Sequence, residues 1–292
     1  MAQTQHSGDS RNDAGSPVYA GGYAQTPYSQ SPSMQQPAYG QSYQTPQQYA
    51  GGPYGTAAPT VMDTQATYSY ENARRTSVVR AYAEMTAGLA VTAVVAVLTQ
   101  MTGALESFLM ATGTLGWIGL AIVQVILAVV LGARVMSMRP ATARVVFYLY
   151  AALMGFTLSS IFLVYDLGSI GLTLGLCVGF FFALTMLALT TKRDMLKAGP
   201  ILMVALLVLV VGELILMFVS PSDTTLMVVS AIGLLVFAGL TAYDAQKTRA
   251  LFASYAGNPE AIERLSILCA LNLYLDFVNM FLYLLRLFGS RD

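Results

Sequence analysis

Ala270-Leu271-Asn272-Leu273-Tyr274-Leu275-Asp276-Phe277-Val278-Asn279-Met280-Phe281-Leu282-Tyr283-Leu284-Leu285-Arg286 is the stretch on which the reading of this chain turns. It lies inside an apolar segment running from Leu268 to Phe288, long enough for a helix to cross the ~30 Å hydrocarbon core of a bilayer, which takes about 20 residues. Within it Asn272, Asp276 and Asn279 recur at spacings of four and three, which places them on one helical face. Such a stripe is costly against lipid, and an ionisable group at mid-membrane normally faces the bundle interior and marks a functional path. The segment is therefore expected to be a central helix, surrounded by others.

The chain upstream supplies those neighbours. From Arg80 onward, apolar runs of spanning length are expected near 83–101, 115–134, 145–165, 169–190, 200–219 and 225–244, with the last at 266–288. The interruptions are turn or helix-start signals: Gly113, Pro140, Asp166-Leu167-Gly168, Gly199-Pro200, Ser220-Pro221-Ser222-Asp223 and Gly257-Asn258-Pro259. Only 10% of the residues are charged, far below the ~25% of an ordinary soluble domain, so lipid is the expected solvent. The fold class is thus an all-α polytopic membrane protein of seven transmembrane helices with the C-terminal helix central.

Residues 1–72 read differently. They are rich in Tyr, Gln, Pro and Gly and nearly devoid of Leu, Ile and Phe, so they cannot bury enough apolar surface to offset the entropy of ordering. A disordered tail is expected there, with the transmembrane domain over 73–292. Nothing in the sequence specifies the tail's protein partners. The N-terminus carries no basic patch followed by an apolar core, so no cleavable signal is expected and the first span directs insertion.

Charge placement sets the orientation. Arg74, Arg75 and Arg80 precede the first span; Arg139 and Arg144, then Lys192, Arg193 and Lys197, then Lys247, Arg249 and Arg264 fill every second loop. The alternate loops carry Glu106, Asp166 and Asp223 and no Lys or Arg. The positive-inside rule then gives a cytoplasmic N-terminus. Parity puts the C-terminus outside, against which Arg286 and Arg291 argue. A bacterial plasma membrane is the expected location.

Lys+Arg and Asp+Glu balance at 15 each, which offers no field for nucleic acid. Cys177 and Cys269 sit in apolar runs and read as reduced packing residues. The sole histidine, His6, belongs to the tail, so pH sensing near neutrality would fall to carboxylates. No nucleophile–base pair, phosphate loop or His/Cys metal cluster is legible, so soluble enzyme chemistry is not expected and no cofactor is implied.

The polar residues within the spans are few. Arg80 and Glu84 are four apart and could pair with each other near the interface. Gln124 and Arg134 lie in the second span, Arg134 at an edge where it could snorkel or close a charged lid over an inner acid. Glu213, in the fifth, reads as protonated or as part of an outer vestibule. Asp244 closes the sixth, in Ala242-Tyr243-Asp244-Ala245-Gln246, and either meets water at a helix end or turns inward toward Asp276. If it turns inward, two carboxylates in a low-dielectric site cannot easily both ionise and would share a proton, titrating as a unit. They are also hard oxygen ligands suited to Ca²⁺, with Asn272 and Asn279 able to contribute.

At these residues the chain resembles the Bax-inhibitor-type family, the transmembrane Bax inhibitor motif group, including its bacterial members. Residues 270–286 are similar to its closing LYLDF-N-F-LL-R pattern, and Tyr243-Asp244-Ala245-Gln246 to its YD-x-Q signature; the resemblance covers about 75–290. It implies a pH-sensitive Ca²⁺ leak with Asp244 and Asp276 as gate and Arg134 as the nearest match to a partnering arginine. Gln124 stands where some bacterial members carry an acid. A Ca²⁺/H⁺ exchanger using the same acids is close to this reading. An intramembrane aspartyl protease is the alternative from another class, although Leu273-Tyr274-Leu275-Asp276 lacks the Gly-x-Gly-Asp of such enzymes; a non-catalytic regulator acting through the tail is a third.

Overall fold

A computed structural model describes residues 61–219, 222–255 and 257–290. Most of the expected tail, residues 1–60, lies outside them. Among the described residues the architecture is helical throughout: α1 Val61–Thr102, α2 Ala104–Arg134, α3 Pro140–Leu158, α4 Leu167–Thr190, α5 Gly199–Val219, α6 Asp223–Ser254 and α7 Pro259–Phe288, with 3₁₀ turns at Val135–Ser137, Ser159–Leu163 and Met195–Ala198. Seven helices are long and apolar enough to cross a membrane.

The break signals become caps. Asp166 accepts from Ser169 N to open α4, Ser222 from Thr225 N to open α6, and Asn258 from Ala261 N to open α7, where Pro259 takes the first turn. Each satisfies a backbone donor that lipid could not. Three expected boundaries move. α1 begins at Val61, because no Gly or Pro interrupts the chain between Pro59 and Gly88. Gly113, with φ 61°, kinks α2 rather than starting it; the turn between α1 and α2 is made at Gly103, φ 64°. α6 runs on to Ser254, so Asp244 lies well within a helix and not at its end.

α7 occupies the centre, packed against α1, α3, α4 and α6. Ile267, Leu273, Tyr274 and Met280 have no accessible surface, and its 30 residues, about 45 Å at 1.5 Å each, are long enough for a complete crossing. α2 and α5 form the periphery, where Val125, Val129, Val208, Leu214 and Phe218 point outward as a lipid-facing belt.

Lipid is as apolar as leucine, so close packing and hydrogen bonds, rather than expulsion from water, bind these helices. Gly155 is small enough for α3 to meet the α1 backbone: a Cβ there would lie 2.4 Å from the Thr92 carbonyl oxygen. Gly88 admits Phe147 and Gly233 admits Tyr283 in the same way. The Tyr274 hydroxyl donates to Thr92 Oγ1 at 2.7 Å, leaving the threonine proton for the Ala151 or Gly88 carbonyl, at 2.9 and 3.0 Å. One hydrogen-bonded chain thus ties α7 to α1 and α3.

Candidate ion site

Continuation of α6 past Asp244 sets the site's geometry. Phe237, Thr241, Asp244, Thr248 and Phe252 are all buried, spaced as one inward stripe. Asp244, only 6% exposed, therefore faces the core, and Asp276, 4% exposed, meets it from the middle of α7. The two carboxylates, and Asn272 one turn before Asp276, are close enough to act on one another electrostatically. Asp244 Oδ1 and Asp276 Oδ2 are buried and have no hydrogen-bond partner among the described residues.

The basic group at the pair is Lys247, whose Nζ lies 3.7 Å from Asp244 Oδ1 and 5.3 Å from the centre of the Tyr243 ring. Arg134 is not brought there. Its side chain is exposed, and it makes no ion pair among the described residues, because α2 leans outward on α3 instead of closing over α6. A single negative charge on the pair is thus compensated from within α6, one turn away.

The other polar residues separate from the pair. Gln124 donates from Nε2 to the Leu153 carbonyl at 2.9 Å and to Thr157 Oγ1, so it clips α2 to α3. Asn279 donates to the Leu275 carbonyl of its own helix at 2.8 Å and stays half-buried on the stripe of Asn272. Glu213 has a partner the sequence did not disclose: Arg286 Nη1 at 3.4 Å, with Tyr283 alongside. Glu213 and Arg286 border a hollow of about 330 Å³ with Leu216, Met217, Leu226 and Val229. Arg286, which charge counting sets against an outside C-terminus, is there neutralised by Glu213.

Arg80 and Glu84 do not pair. Arg80 reaches Glu263 on α7 at 3.5 Å, while Glu84 accepts from Arg144 Nε at 2.7 Å and from the Tyr148 hydroxyl at 2.6 Å. For Glu84, burial between helices fixes the interhelical partners and limits water, which favours them over an i, i+4 neighbour.

Two groups near the pair were missed: the Tyr82 hydroxyl on α1 and Thr185 Oγ1 on α4. Both atoms are buried without a hydrogen-bond partner among the described residues.

The family model described as Inhibitor of apoptosis-promoting Bax1 matches residues 74–292. This chain belongs to that Bax inhibitor family. The inner membrane protein YbhL of Escherichia coli (strain K12) is 40% identical over 218 residues, 74% of this chain and 92% of that one. An uncharacterized protein of Deinococcus radiodurans is 38% identical over 218 residues, 75% and 92% of the two chains, and one of Rickettsia prowazekii 32% over 232 residues, 80% and 97%. Membership of the Bax inhibitor family covers the seven helices and leaves the tail outside. It makes the chain an integral membrane protein and is consistent with a channel-like or transporter-like role.

Proposed function

We propose that this protein is a pH-sensitive leak for calcium or a similar cation across a bacterial plasma membrane, with its N-terminus in the cytoplasm and Asp244 and Asp276 as the gate. The observation that carries the reading is the burial of two mutually facing carboxylates, from α6 and α7, each with an unsatisfied oxygen. In such surroundings both cannot ionise at ordinary cost, and one proton held between them ties α6 to α7. Closure corresponds to that shared proton. Loss of the proton leaves two facing charges, with Lys247 the compensating group among the described residues, and the bridge opens.

The ion passes as cargo. Ca²⁺ settles in shells of six to eight oxygens, whereas no cluster of three or more acidic, His or Cys groups occurs among the described residues. Two carboxylates with amide and hydroxyl neighbours favour transient contact. Asn279 would continue the polar face of α7 from the pair toward the Glu213–Arg286 vestibule.

The test is Ca²⁺ uptake into liposomes containing the purified protein, with simultaneous measurement of internal pH. Uptake above empty liposomes without stoichiometric proton counterflow is the expected result. Coupled proton exit would make the protein an exchanger, and no uptake at any pH would end the transport reading.

A further inference from the structure

The four orphaned buried oxygens are not scattered. Tyr82 OH comes from α1, Thr185 Oγ1 from α4, Asp244 Oδ1 from α6 and Asp276 Oδ2 from α7. Tyr82 and Thr185 are close enough to interact with each other, and both carboxylates act electrostatically on the tyrosine. Thr185 is only 4% exposed. A buried polar atom left unsatisfied is costly, and native interiors hold only a few of them per hundred residues. The four come from four helices, of which α1, α4 and α6 all pack on α7 and α4 also packs on α6.

We infer that Tyr82 and Thr185 are cation ligands, completing with Asp244 and Asp276 a four-helix oxygen site for a small hard cation and its residual water. This deepens the gate reading, on which it rests, by naming the groups that replace the ion's hydration. Hydroxyl and phenol oxygens add lone pairs without adding charge, so an ion can be held weakly enough to leave again. Their positions also span the bundle: α1 and α4 supply the neutral oxygens, α6 and α7 the charged ones. An ion seated there contacts four of the seven helices.

Tyr82→Phe and Thr185→Val delete each oxygen while nearly preserving shape, and Thr185→Ser restores one. If the hydroxyls merely pack, removing an unsatisfied polar atom should leave the melting temperature unchanged or raise it, and nothing else should alter. The probe is CaCl₂, read in two ways on the full-length protein: the Ca²⁺-induced rise in melting temperature in detergent, and liposome uptake. The expected result is that Tyr82→Phe and Thr185→Val fold as well as wild type, lose most of the Ca²⁺-induced rise and reduce uptake about 10-fold, the factor that corresponds to 1.4 kcal/mol of lost binding, while Thr185→Ser retains both. If Asp276→Asn abolishes the responses but Tyr82→Phe and Thr185→Val do not, the ligand assignment is wrong and the carboxylate gate stands. If wild type shows neither response, the gate reading fails and takes this one with it.

Discussion

At the residue scale, the ion pairs of this protein divide into those that hold helices together and those poised to change. Glu84 belongs to the first kind: its side chain is 12% exposed and held by Arg144 and Tyr148. Removing the cation strands a buried acid, whereas neutralising the acid leaves an amide that still accepts from Tyr148. Arg144→Gln should therefore cost about 2–3 kcal/mol of stability and Glu84→Gln distinctly less, measurable by denaturant unfolding in detergent; equal losses would contradict the asymmetry. The sequence revealed Asp244, Asp276 and Asn272 as polar atoms on a helical period in an apolar run. The Arg80–Glu84 spacing misled because spacing reports which face a residue occupies, not which neighbouring helix that face meets. Tyr82 and Thr185 gave no signal, since a tyrosine near an interface and a threonine in an apolar span are ordinary residues until their hydroxyls prove unsatisfied.

At the element scale, helix existence was legible and helix extent was not. Pro259, Asn258 and Ser222 announced their caps, but nothing in Ala245 to Ser254 advertises that α6 continues as helix beyond its apolar part, and that extension is what turns Asp244 inward. Crossing points were equally hidden, because a glycine against a neighbouring backbone looks like any other glycine. Gly155→Ala should cost about 1–3 kcal/mol by overpacking, whereas Gly171→Ala, with open space where its Cβ would stand, should be tolerated; comparable melting temperatures would refute that crossing. The cap of α4 supplies a pH test. Hydrogen bonds from Ser169, chiefly its side chain and then its backbone N–H, hold the Asp166 carboxyl below its ordinary 3.8. A lowered carboxyl contributes stability above its unfolded value and loses it as pH falls through the folded one. The melting-temperature gap between wild type and Asp166→Ala should accordingly be full at neutral pH and shrink below about pH 4; a gap independent of pH would contradict this.

On the scale of the whole molecule, a polar line along one central helix connects two charged ends. The Asp244–Asp276 pair with Lys247 lies toward the basic side, Glu213 with Arg286 toward the other, and Asn279 between them. The outer helices α2 and α5 are the least buried of the seven among the described residues. The family match begins at residue 74, so deletion of residues 1–60 is expected to leave liposome flux within about twofold of wild type, as for a segment outside the core fold; loss of flux would give the tail an essential role. The central claim is that Asp244 and Asp276 work as a single titrating unit. Its most direct test is the pH profile of Ca²⁺ flux in liposomes for wild type, Asp244→Asn, Asp276→Asn and the double variant. Either single substitution should flatten the pH response and the double should add nothing further, whereas a response that survives both, or effects that simply add, would contradict the account.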